Sequence, residues 1–118
     1  MSEKNYFAAE TLGDLTIIRF APGILLTGEI AQKVAEPLVD RIETQGCRRL
    51  VLNLANVATL SSLIIAKLIS LHKKMQPVGG RVVLCEAPEV IREILEVVQV
   101  TRLIPIYPTE RDAVESLR

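Results

Sequence analysis

Apolar and polar positions change rhythm several times along the chain, and each change marks an element. Asp14 to Phe20 is β-branched and apolar behind a Gly13-Asp14 turn signal, and Ile24 to Leu26 is a short apolar run set off by Pro22-Gly23. Both are predicted strands. From Glu29 to Gln45 the apolar residues Ile30, Val34, Leu38 and Ile42 recur every four positions, a repeat that gathers side chains on one face of a helix. Thr27 is available as its cap and Gly46 as its stop. Pro37 inside it predicts a kink, or else a regular helix that begins only there, because proline lacks the backbone donor and crowds the preceding turn; the kink is the preferred expectation. Arg49 to Leu54 is almost continuously apolar, the mark of a central strand covered on both faces.

Helical spacing returns over Ser62 to Gln76 and ends at Pro77 and Gly79-Gly80, after which Arg81 to Glu86 reads as another strand. Pro88 fits the first turn of a third helix through Val98, with Val90, Ile91, Ile94, Leu95 and Val98 on one side. Ile104 to Tyr107 is a short last strand. Thr109, with Asp112 three positions on, then caps a terminal helix that includes Ala113, Val114 and Leu117. Strands alternating with helices at this spacing need crossover connections, which are right-handed almost without exception. The expected fold is α/β: one domain over residues 1–118, with 1–13 as an N-terminal lead-in. Its sheet is mixed and mostly parallel, with about four to five strands and about four helices.

Composition narrows the function classes. The chain has 118 residues, 49% of them hydrophobic, and 14 Lys+Arg against 14 Asp+Glu. No stretch concentrates enough positive charge to track a phosphate backbone. Tyr6, Phe7, Phe20 and Tyr107 make no stacking platform, so nucleic acid is not an expected partner. Met1 to Glu10 is polar and acidic, unlike a signal peptide, and no apolar run reaches the ~18 residues of a membrane span. The expectation is a soluble cytoplasmic protein without membrane insertion. Cys47 and Cys85 lack the close spacing of a metal or redox motif and read as buried packing thiols.

Chemistry-bearing patterns are sparse. Gly79-Gly80 precedes a strand, and neither GxGxxG nor GxxxxGK[ST] occurs, so no cofactor is expected. His72 falls in the helical arc of Ile65, Leu68 and Met75 and reads as a core-edge histidine. Acidic residues are scattered, and Asp14 and Asp40 form no recognisable cluster. With no catalytic residue and no metal site to name, a non-enzymatic protein is expected.

The segment NVATLSSLIIAKL stands out, because two serines arrive where a helix begins. A serine there ordinarily caps the helix by accepting from an unpaired backbone donor. The same place tolerates a phosphate, since free N–H groups and the positive end of the helix dipole favour negative charge. Projected at about 100° per residue, Ile64, Ile65, Leu68, Ile69, Leu71 and Met75 share one arc, with Ala66, Lys67, Ser70, Lys73 and Lys74 opposite. Leu63 lands with the polar group. It is either a scattered surface leucine or one anchor of a protein-binding patch.

The segments RRLVLNLANVATLSS and KLISLHKKMQPVGGRVVLCEAPEVIREILEVVQVTRLIPIYPTERDAVESL resemble the STAS domain of bacterial anti-sigma-factor antagonists, from about residue 14 to the C-terminus. In that family a central strand leads into D-S-[ST]-G-[LV]-G at a helix start. By the resemblance Ser62 matches the serine that a partner kinase phosphorylates, and Ser61 replaces the aspartate. Leu63 takes the small hydroxyl position, and Ile64 and Ala66 replace the glycines. Ser62 is thus the phosphorylation candidate, with Ser61 beside it. The implied partner-binding residues are Thr27, Gly28, Ser62, Leu63, Ala66 and Ser70. The implied partner is an anti-sigma factor or related serine kinase-like regulator, and transcription regulation is the implied process. The alternative is a constitutive STAS-type subunit of a transport or signalling assembly, without phosphorylation, which the loss of the aspartate and glycines favours.

Overall fold

The computed structural model describes residues 6–118. Its strands are β1 (Phe7–Leu12), β2 (Leu15–Phe20), β3 (Ile24–Leu26), β4 (Arg49–Asn53), β5 (Val57–Leu60), β6 (Arg81–Cys85) and β7 (Ile106–Tyr107). Its helices are α1 (Gly28–Glu43), α2 (Ser62–Met75), α3 (Glu89–Val97) and α4 (Glu110–Ser116). Five strands form one sheet in the order β1-β2-β4-β6-β7, and β3 and β5 form a separate parallel pair. Only β1 is antiparallel to its neighbour; β2, β4, β6 and β7 run parallel. The fold is therefore the expected α/β arrangement, a mostly parallel mixed sheet with four helices, and Arg49–Asn53 lies at its centre.

Side-chain alternation along the strands sorts the helices into two layers. On one face Ile18, Leu50, Leu52, Val82 and Leu84 pack against Val34 and Leu38 of α1, Ile64 and Leu68 of α2, and Ile91 and Leu95 of α3. On the other face Leu15, Ile17, Val51, Val83 and Cys85 pack against Ala113 of α4 and Leu117 just after it. Burial on both sides explains the continuous apolar run of β4. The turn Gly79-Gly80 is required by packing. Gly79 is left-handed at φ 73°, and a Cβ on Gly80 would come within 2.8 Å of the Arg48 carbonyl oxygen.

Two strands escape the sequence pattern. β1 lies in the stretch read as lead-in, of which residues 1–5 fall outside the described residues. It is an edge strand with only Phe7 buried, so alanines and Glu10 replace the β-branched signal. Phe7 pairs in register with Phe20, their rings edge to face at 6.2 Å. β5 lies inside the junction before the two serines and spans four residues. α1 runs unbroken on both sides of Pro37, so the proline does not mark where the helix starts. The last strand is shorter than expected, because Ile104 is buried in the preceding turn and only Ile106 and Tyr107 pair. In α3 the expected apolar side is only half used: Ile91 and Leu95 are buried, whereas Val90 and Val98 are exposed.

Candidate functional site

β3 and β5 bring two distant turns together. The strands are parallel with Leu26 facing Leu60, and the Ser61 N–H donates to the Leu26 carbonyl at 3.0 Å. The chain therefore leaves both strands at the same end, Thr27 and Gly28 entering α1 beside Ser61 and Ser62 entering α2. The two helices then pack on each other.

The two serines have different roles. Ser61 holds the N-cap position in extended backbone, and its hydroxyl accepts from the Ile64 N–H at a long 3.4 Å. Ser62 is the first helical residue and is exposed. Leu63, Ala66 and Ser70 are exposed too, Leu63 at 39%. At helical spacing these residues and Ser62 fall within roughly 100° of one another, so they share one face. Thr27 sits at the α1 N-cap without a side-chain cap bond, and Gly28 takes φ 54° in open space. The structure thus brings Thr27 and Gly28 beside the start of α2, whose exposed face carries Ser62, Leu63, Ala66 and Ser70.

The two positions where the family has glycines diverge. Ile64 is 2% exposed and turns into the core, so its bulk is absent from the surface; Ala66 adds a single exposed methyl. The first turn of α2 contains no acidic residue, so nothing there opposes a phosphate on the positive end of the helix dipole. Farther along, Lys74 pairs with Glu43 of α1 at 2.8 Å. Lys67 lines an α1–α2 groove of about 310 Å³ with Glu36, Asp40 and Glu43.

Other polar groups serve packing. The Arg19 guanidinium donates to both carboxylate oxygens of Glu110 at 2.9 and 2.8 Å, and Asn53 donates to the same carboxylate at 3.1 Å. The arginine hydrogen bonds hold the Glu110 carboxyl below the ordinary glutamate range. Thr109 caps α4, its hydroxyl accepting from the Asp112 N–H at 3.0 Å, and the Glu86 carboxylate accepts from the Glu110 N–H at 2.8 Å. Burial pushes both thiols up, Cys85 to about 12 and Cys47 in the same direction, which suits inert packing residues. His72 is half-buried on α2. Among the described residues no group of His, Cys, Asp and Glu could hold a metal, and no helix is long and apolar enough to cross a membrane.

Sequence reasoning missed Leu25, which is 50% exposed at the centre of β3 beside Thr59 of β5. Strict alternation through Ile24, Leu25 and Leu26 turns the middle residue outward, so the signal was present in three letters.

A family model for the STAS domain matches residues 6–113. An anti-sigma-factor antagonist (STAS) domain protein from Planctomyces limnophilus superposes with TM-score 0.83 at 19% identity, covering 95% of this chain and 97% of that one. SpoIIAA, an anti-sigma factor antagonist solved in its unphosphorylated form, gives TM-score 0.80 at 17% identity over 95% and 96%. The STAS domain of a SulP transporter from Vibrio cholerae gives 0.65 at 18% identity over 92% and 84%. At these identities the structural likeness speaks for the fold, and the matched span runs from just before β1 into α4. On that match and this sheet order, the chain belongs to the STAS domain family.

Proposed function

We propose that this chain is a non-enzymatic, cytoplasmic regulatory domain that binds a protein partner through the start of α2 and the turn into α1. The partner is an anti-sigma factor or a related serine kinase-like regulator, and the contact residues are Thr27, Gly28, Ser62, Leu63, Ala66 and Ser70. Phosphorylation of Ser62 is the switch. One observation carries the reading: Ser61 caps the helix, which leaves the Ser62 hydroxyl exposed beside Leu63 and Ala66. A phosphate there adds about −1.5 to −2 charges at a helix N-terminus that tolerates them, so it alters the docking surface without opposing the fold.

The test is a pull-down from source lysate with wild-type and Ser62→Asp baits, read by mass spectrometry. A kinase-like protein held by wild type and lost with Ser62→Asp supports the switch. The aspartate should leave thermal stability unchanged or slightly raised, by about 0.3–1 kcal/mol, so lost binding would not reflect unfolding. Intact-mass analysis from native cells with no phosphate under any growth condition would remove the switch and leave the docking.

The second reading is a constitutive subunit of a transport or signalling assembly. The serine in place of the family's aspartate supports it, and so does the likeness to a transporter's STAS domain. Equal retention of one transporter component by both baits would establish that reading over the first.

A further inference from the structure

The outer side of α3 carries an apolar seam in which exposed valines flank a half-buried Ile94 that also packs against the core. Val90, Ile94 and Val97 fall at i, i+4 and i+7, so they stack along two turns of one helix face. Ile91 and Leu95 hold the buried side. Val90 is 57% and Val97 80% exposed, and Val98 extends the apolar surface at the helix end. Together they line an open groove of about 320 Å³ in which Glu93 is the only charged residue.

The charge around this seam has one sign. Glu89, Glu93 and Glu96 occupy a neighbouring arc of roughly 60° at helical spacing, and all three are exposed. Arg92, the one cation of α3, lies beyond these glutamates, on the side away from the seam, and lines a separate cleft with Glu86 and Tyr107; the seam's other flank is the buried Ile91 and Leu95. An isologous α3–α3 contact would put the same glutamates on both sides of the interface, where like charges are penalised. An apolar stripe flanked by positive charge satisfies both features at once.

We propose that this seam docks an amphipathic helix of a second protein whose apolar stripe is flanked by lysine or arginine. The apolar contact comes from Val90, Ile94 and Val97, and the acidic flank sets the choice of partner and its orientation. The surface belongs to α3 and does not depend on Ser62.

The test titrates the isotope-labelled full chain with a synthetic helical peptide carrying leucine at i, i+4 and i+7 between lysines, followed by amide-resolved NMR. A glutamate-flanked counterpart serves as the comparison. The lysine peptide is expected to shift α3 amides saturably and to bind at least about tenfold tighter than its counterpart. Val97→Asp separates seam docking from general attraction, because it adds negative charge while removing apolar surface. Docking requires it to weaken the lysine peptide at least about tenfold, whereas general attraction requires equal or tighter binding. Val97 is so exposed that this variant keeps the fold. Shifts centred away from α3, or undiminished binding by Val97→Asp, would overturn the proposal. Sedimentation showing a dimer of the chain alone that Val97→Asp disperses would also overturn it, by making the occupant a second copy.

Discussion

α2 and α3 lie on the same face of the sheet and bury the same kind of side chain, yet they present opposite surfaces. α2 starts at its own serine cap and exposes small side chains, Ser62, Ala66 and Ser70, around a single leucine. α3 starts at Pro88, whose ring offers no side-chain acceptor, and the carboxylate just upstream, Glu86, accepts from the Glu110 N–H at the start of α4. Its exposed side carries bulky valines beside glutamates. Small side chains let a partner's backbone come close, and Ser62 places an exposed hydroxyl at the helix start, so on the proposed reading that surface can be changed by a single modification. The valines offer apolar area and the glutamates a fixed charge, so the α3 surface is always available.

The largest effect is expected at Ile64. Restoring the family glycine there removes a core side chain and adds a helix-interior glycine, so Ile64→Gly should cost about 4 kcal/mol. Ala66→Gly, two positions on at the surface, should cost only about 1 kcal/mol. Urea unfolding of the two variants checks the difference. Equal costs would mean that Ile64 contributes little to the core, and that the α2 start differs from other helix starts less than its burial implies.

This asymmetry also shows what the sequence could reveal. Alternation and helical spacing located β2, β4, β6 and all four helices, because each places Leu, Ile or Val on a buried face at a regular interval. β1 and β5 gave no such signal, being an edge strand with one buried residue and a four-residue strand in a two-stranded sheet. For the candidate site, the exposure of Ser62 and Leu63 was legible where motif and helix projection agreed. The adjacency of Thr27 to Ser61 depends on β5 pairing with β3, which no local pattern states. Projection placed Val90 with Ile91 on one side of α3 but could not locate the edge of the covering layer, which passes between Val90 and Leu95.

A smaller effect sharpens the roles of the two serines. Ser61→Ala removes the cap acceptor of α2 and should cost about 1 kcal/mol or somewhat less, since the 3.4 Å bond is long. Ser62→Ala changes an exposed group with no capping role and should stay within about 0.5 kcal/mol. Thermal unfolding of both variants distinguishes them. A larger cost at Ser62 would make it a structural residue and remove the reason to treat its hydroxyl as free for modification.

The smallest effect concerns the ion pair at the start of α4. Arg19 holds Glu110 below the ordinary glutamate value of 4.5, so the folded state favours the ionised carboxylate more than the unfolded chain does. The resulting stabilisation is fully present above the unfolded value and is lost as pH falls through the lowered one. The pair is partly exposed, so the whole contribution should be below about 1 kcal/mol. Glu110→Gln cannot ionise, and its urea stability should therefore decline less than wild type between neutral pH and the acid range. Parallel pH profiles would show that the Arg19–Glu110 geometry contributes nothing to stability. Because Glu86 binds the backbone N–H of residue 110 and Thr109 caps through the Asp112 N–H, the substitution keeps the start of α4 in place. The α3 seam should then bind the lysine-flanked peptide unchanged at neutral pH, whereas weakened binding would mean that α4 and α3 are coupled through the Glu86 turn.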